Sequence, residues 1–186
     1  MKKDIILCGV GGQGILSIAT VIGQAATSAG LYLKQAEVHG MSQRGGDVQS
    51  NLRLSDSPVW SDLIPLSGAD LIISMEPMEA LRYVPYLAPD GVIVTSSKPF
   101  INIPSYPEES ELDAAYAALG RKVIKLDIEQ AAREAGNPKG ANMVLLGAAA
   151  PYIGILSPDA LRDALAAVFA RKGEAVVQAN LKCFGR

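Results

Sequence analysis

Cysteine is scarce in this chain: of 186 residues only Cys8 and Cys183 are cysteines. Two thiols cannot supply the four ligands of a usual iron–sulfur cluster. Cys8 lies in an apolar run and reads as a small core residue. Histidine is scarcer still, and His39 alone makes no zinc-site spacing with the cysteines and carboxylates. Charge is low as well, at 19% of residues with a net charge of −2. Nothing supplies the basic face that nucleic acid requires, and no run of like charges reads as a tail. Long apolar runs are also missing. The start, Met1-Lys2-Lys3-Asp4-Ile5-Ile6-Leu7, resembles a signal peptide for a few residues, but glycines at Gly9, Gly11, Gly12 and Gly14 break it. It is too short for an h-region or a membrane span and reads as a β-strand. The expected location is the cytoplasm, without membrane contact.

What is present suffices for a core: 49% of residues are hydrophobic. Residues 1–186 read as a single domain. A low charged fraction with a mean hydropathy of +0.21 has two readings. Either a partner covers part of the exterior, or the chain is an alanine-rich and glycine-rich monomer.

The apolar run Asp4–Val10 fits a strand buried on both faces. Ile15–Ala29 has helical spacing and stops near Gly30; Leu31–Val38 reads as a second strand. Asp47–Leu54 alternates, with Val48, Ser50, Leu52 and Leu54 on one face, as expected of a half-buried strand, antiparallel or at an edge. Ala69–Met75 and Gly91–Ser96 are further strands, and Lys122–Leu126 reads as a last central strand. Helices are expected from Pro77 to about Tyr86, over Leu112–Leu119, and repeatedly from Ile128 onward. Phe100–Pro107, with two prolines and a third, Pro99, just before it, is an extended loop. Ser157 and Pro158 have the order of an N-cap and a first helical residue. The alternation implies an α/β fold: a doubly wound, mostly parallel Rossmann-like sheet with helices on both faces and a helical C-terminal tail.

Three segments carry chemistry. Gly9-Val10-Gly11-Gly12-Gln13-Gly14 follows a strand and opens a helix. There, glycines let backbone approach a ligand, and the helix N-terminus offers N–H groups and a positive dipole end to an anion. The bland alternative is a tight strand–helix turn with no ligand. Glu37, near the end of the second strand, is where a dinucleotide-binding fold keeps a ribose-binding acid, so a small NAD(P)- or flavin-binding protein competes. Next comes Glu37-Val38-His39-Gly40-Met41-Ser42-Gln43-Arg44-Gly45-Gly46-Asp47. Ser42 and Arg44 are hydrogen-bond donors, and Arg44 can clamp a phosphate or carboxylate through two bonds. This loop is expected to face the first across one crevice; a polar hairpin with a solvated arginine is the alternative. His39 receives no role. Third is Asn142-Met143-Val144-Leu145-Leu146-Gly147. Glycine inside a helix costs about 1 kcal/mol relative to alanine, so Gly147 is expected to pack against another backbone. Asn142 is either an N-cap or a ligand or interface contact.

In this order the three segments resemble the gamma subunit of the 2-oxoacid:ferredoxin oxidoreductases, from Ile5 to about Ala179. The first matches the family's G-x-G-G-Q-G-I start, the second its R-G-G segment and the third its N-x-x-x-L-G helix. The form His39–Gly46 is most similar to the beta subunit of the indolepyruvate members. The resemblance implies oxidative decarboxylation of a 2-oxoacid on thiamine diphosphate and Mg2+. Electrons then pass through iron–sulfur clusters to ferredoxin, and coenzyme A takes the acyl group. The chain has neither the thiamine signature nor a cysteine array, so a large partner subunit would own that chemistry and no catalytic residue falls here. Family gamma domains implicate Gly11, Gly12, Gln13, Gly14, Ser42, Arg44, Gly45, Gly46 and Asn142 in the cofactor or coenzyme A crevice. A homodimer of this chain is left open.

Overall fold

A computed structural model describes residues 1–39 and 45–186. The strands are β1 (Lys2–Val10), β2 (Tyr32–His39), β3 (Asp47–Ser55), β4 (Ala69–Ser74), β5 (Leu87–Ser96) and β6 (Lys122–Leu126). The α-helices are α1 (Ile15–Ser28), α2 (Pro77–Arg82), α3 (Glu109–Ala118), α4 (Ile128–Glu134), α5 (Ala141–Ile153), α6 (Pro158–Phe169) and α7 (Glu174–Phe184). The strands form one sheet in the order β2-β3-β1-β4-β5-β6. β4, β5 and β6 run parallel to β1. β3 runs antiparallel to both β1 and β2, so it alone is reversed. The mostly parallel α/β sheet expected from the sequence is therefore present. Of the two readings of β3, the antiparallel one is met; the strand lies inside the sheet, between β1 and β2, and not at an edge. One placement differs. β6 is an edge strand, not a central one. Strand order depends on long-range pairing, which local periodicity does not encode.

Alternation along β1 divides the core. Ile5 and Leu7 point to a large cluster with Leu52, Leu54, Leu71 and Ile73, covered by α1 and α4–α7. Ile6 and Cys8 point to a smaller cluster with Ile72 and Ile93, covered by Ala80 of α2, Tyr83, and Tyr116 of α3. α5 is buried through most of its length, consistent with its unbroken apolar sequence. Its Gly147 does meet a backbone: a Cβ there would lie 2.0 Å from the Phe184 carbonyl of α7. Ser157 caps α6 as expected, its Oγ accepting from the Ala160 N–H at 3.1 Å.

Candidate functional site

Parallel strands bring their C-terminal loops to one edge of the sheet, where ligands bind in open α/β folds. Four segments meet at that edge. The glycine loop leaves β1 and enters α1 through Gly14, which caps the helix in the left-handed conformation with no side-chain cap. Gly12 is also left-handed, at φ 99°, and a Cβ there would meet nothing within 4 Å. Gln13 folds back as a brace. Its Oε1 accepts from the Val10 N–H at 2.7 Å, and its Nε2 donates to the Met75 carbonyl at 3.4 Å. The side chain expected to meet a ligand thus holds the loop to the end of β4.

The second segment is joined to the first by backbone. Gly11 N–H donates to the Gly46 carbonyl at 2.9 Å, and Gly45 N–H to the Gly11 carbonyl at 3.5 Å. Ser42 and Arg44 lie outside the described residues. Asn142 is not the cap of α5; Gly140 is. Asn142 sits one residue inside the helix, and its Nδ2 donates to the Gly14 carbonyl at 3.2 Å. The fourth segment was not expected from the sequence: Asn102, in the proline-rich loop after β5, donates to the Gly45 carbonyl at 2.7 Å. Between these walls is a cavity of about 390 Å³ lined by Val10, Gly11, Gly12, Gly14, Leu16 and Val48. Its lining combines the backbone of the glycine loop, at the start of a helix without a side-chain cap, with the aliphatic side chains of Val10, Leu16 and Val48. That suits an anion carrying an apolar arm.

Two acids lie close together near this edge of the sheet, Asp47 half-buried and Glu79 buried. Tyr83 O–H donates to Asp47 Oδ2 at 2.7 Å, while Oδ1 is buried and meets no donor among the described residues. Glu79 accepts from Arg82 Nε at 3.0 Å and from Arg82 Nη2 at 3.3 Å. Burial raises the Glu79 carboxyl above its ordinary range; Arg82 works against this, and Asp47 adds to it. Burial, then the Asp47 hydrogen bond, likewise pushes the Tyr83 phenol up. Glu76, fully buried, caps α2 by accepting from the Glu79 N–H at 2.9 Å and anchors the proline-rich loop through Phe100 N–H and the Tyr106 hydroxyl. The sequence signal for this was an acid before Pro77 at a strand end, which was read only for its proline.

Glu37 does not occupy a ribose-binding position. β3 separates β2 from β1, so Glu37 lies two strands from the glycine loop, where its Oε1 accepts from Gln35 Nε2 at 2.7 Å. Iron–sulfur ligation does not fit either. Cys8 and Cys183 belong to different core clusters on opposite faces of the sheet, and burial raises the Cys8 thiol, against the thiolate form a metal needs. Among the described residues no group of three or more His, Cys, Asp or Glu side chains could hold a metal ion, and no helix is long and apolar enough to cross a membrane.

The glycine loop, its asparagine clamp and the reversed third strand form one architecture, and residues 4–186 match the family model described as pyruvate ferredoxin/flavodoxin oxidoreductase. The chain belongs to that family. It is 38% identical over 174 residues to the indolepyruvate oxidoreductase subunit IorB of Thermococcus kodakarensis, covering 89% of this chain and 86% of that one. The gamma subunit of a keto/oxoacid ferredoxin oxidoreductase from Geobacter sulfurreducens superposes with a TM-score of 0.69 at 26% identity, covering 98% of this chain and 94% of that one. The 2-oxoglutarate:ferredoxin oxidoreductase of Magnetococcus marinus, solved with 2-oxoglutarate, coenzyme A and succinyl-CoA bound, superposes with a TM-score of 0.77 at 23% identity. It covers 98% of this chain but only 30% of that longer one. Relatives of this chain are thus subunits of 2-oxoacid:ferredoxin oxidoreductases.

Proposed function

We propose that this chain is the small subunit of a cytoplasmic 2-oxoacid:ferredoxin oxidoreductase whose substrate is indolepyruvate or a related arylpyruvate, and that it forms the coenzyme A wall of the shared crevice. A large subunit holds thiamine diphosphate, Mg2+ and the iron–sulfur clusters, and passes electrons to ferredoxin. The 2-oxoacid loses CO2 there, and the acyl group leaves on coenzyme A. The observation that carries this reading is the uncapped N-terminus of α1 opening onto an aliphatic cavity. The helix N–H groups suit the diphosphate, and Leu16 and Val48 suit the pantetheine arm. Arg44 and Ser42 add donors from the adjoining loop. No proton or electron transfer is assigned to a residue of this chain.

Co-expression with the large thiamine- and cluster-bearing subunit tests the reading. A stable complex should oxidise arylpyruvates in a coenzyme A-dependent way. Arg44→Ala in that complex should raise the KM for coenzyme A and leave the KM for the 2-oxoacid unchanged. If neither constant moves, the loop is scaffold. If the chain stays monomeric beside the large subunit, the assignment fails.

A further inference from the structure

Residues 56–68 link β3 to β4 at the end of the sheet opposite the crevice: Ser55, just before them, pairs with Lys2 at the start of β1. The loop presents Trp60, Leu63 and Leu66 to solvent, at 92%, 57% and 66% exposure. Trp60 is the chain's one tryptophan. Exposed apolar side chains on a slack loop turn inward and hide. Here the backbone is pinned from below. Arg53 Nη1 donates to the carbonyls of Ser61 and Leu63, both at 3.1 Å. Arg53 is itself held by the fully buried Asp4, through Nε to Oδ1 at 2.9 Å and Nη2 to Oδ2 at 3.2 Å. Ile64, 4% exposed, anchors the loop in the smaller core cluster between the two presented leucines. At the exit Gly68 N–H donates to the Pro65 carbonyl at 3.0 Å. Ser67, in the left-handed region at φ 58°, donates its N–H to the Pro85 carbonyl at 3.0 Å.

A buried ion pair adds little stability over an apolar pair of the same size, so its effect here is geometric: it fixes the two carbonyls that set the angle at which Trp60 and the leucines stand out. Preorganised aromatic and aliphatic anchors lower the entropy cost of association and dominate interface energies. The rim is acidic. Asp62 is exposed with no cation within 4.0 Å among the described residues. A second copy of the same patch across a two-fold axis would bring Asp62 toward its own mate, so self-pairing is disfavoured. In the longer Magnetococcus marinus chain this fold is 30% of the polypeptide, so there the fold has further polypeptide of its own chain to lie against.

We propose that residues 56–66 are a docking platform for the large subunit, with Trp60 seated in an apolar pocket of that subunit and Asp62 facing a cation at its rim. The inference rests on the assembly proposed above and assigns it a contact remote from the crevice. Labelling this chain with 5-fluorotryptophan gives a single fluorine at position 60. On adding the unlabelled large subunit, its resonance should shift and lose its H2O/D2O solvent effect. Trp60→Glu should weaken association at least about 30-fold, as expected of an interface anchor, while Trp60→Phe keeps most of it. Because Trp60 touches little of its own chain, the isolated variants should keep the parent's unfolding midpoint. A wild-type complex in which the fluorine remains solvent-exposed and Trp60→Glu binds as well as the parent overturns the platform and leaves the assembly standing. No complex with the wild-type chain overturns the assembly, and the platform with it.

Discussion

The side-chain amide of Asn142 lies directly over Gly14: its Nδ2 donates to the Gly14 carbonyl at 3.2 Å, and a Cβ on Gly14 would sit 2.6 Å from the same nitrogen. The last residue of the glycine loop and the first turn of α5 form one unit although 128 positions separate them. Gly14→Ala should therefore cost stability twice, through its left-handed φ of 88°, worth about 1–2 kcal/mol, and through the clash. In an Asn142→Ala background the clash disappears and only the backbone cost remains. A double-mutant cycle by urea unfolding should show this as coupling between the two sites. Strict additivity would mean that Asn142 swings away freely and does not clamp the loop.

Gly12 and Gly147 should respond in opposite ways. Alanine at 147 would drive a Cβ to 2.0 Å from the Phe184 carbonyl. Two backbones must separate to admit it, so Gly147→Ala should destabilise the chain by about 3 kcal/mol or more and loosen α7. Alanine at 12 meets open space. Gly12→Ala should cost only about 1–2 kcal/mol of backbone strain, yet raise the KM for coenzyme A in the complex because its methyl enters the cavity. Thermal melts and coenzyme A titrations of the two variants check this reversal.

Glu79 makes stability depend on pH. Its carboxyl is raised by burial and further by Asp47, against the pull of Arg82. The folded state then holds the proton more tightly than the unfolded chain does. The resulting stabilisation is complete below the ordinary value of 4.5 and is lost as pH rises through the folded value. Glu79→Gln, which cannot ionise, should not lose it. Urea midpoints measured from acid to neutral pH should fall for the parent relative to the variant. A parent that gains on the variant as pH rises would show that Arg82 holds Glu79 ionised.

The Asp4–Arg53 pair should be costly to break from one side. Arg53→Met leaves Asp4 buried with only Lys2 beside it, Nζ to Oδ2 at 2.8 Å. A loss of about 3 kcal/mol is expected, measured by chemical unfolding. Asp4→Asn in the same chain should recover part of that loss by removing the stranded charge. The Trp60 platform should slacken in both variants, since neither holds the Ser61 and Leu63 carbonyls.

Features written in local periodicity were legible before any coordinates: the buried run of β1, the alternation that sends Leu52 and Leu54 to the core, the cap at Ser157, and the crowding at Gly147. For Asn142 the readings as cap or as contact stayed open, because an asparagine near a helix start looks like a cap unless its distant partner is known. Gln13 was expected to meet a ligand, and its reach to Met75 depends on where β4 lies. Asn102 gave no signal, since an asparagine among prolines is an ordinary loop residue until the strand order brings Gly45 beside it. The pairing of Asp47 with Glu79 was hidden for the same reason, as the two come from segments joined only by the sheet.

The reversed β3 carries a consequence for how such a crevice can change over evolutionary time. β2 and β3 are zipped together up to His39 opposite Val48, so the stretch of sequence between the two strands lies outside their register. Lengthening or rewriting that stretch disturbs no strand register and costs only a slowly growing loop-closure entropy. The glycine loop has no such latitude, being tied into β1, α1, β4 and α5. One wall of the crevice is thereby fixed by the fold, while the sequence of the other can change without disturbing the strands.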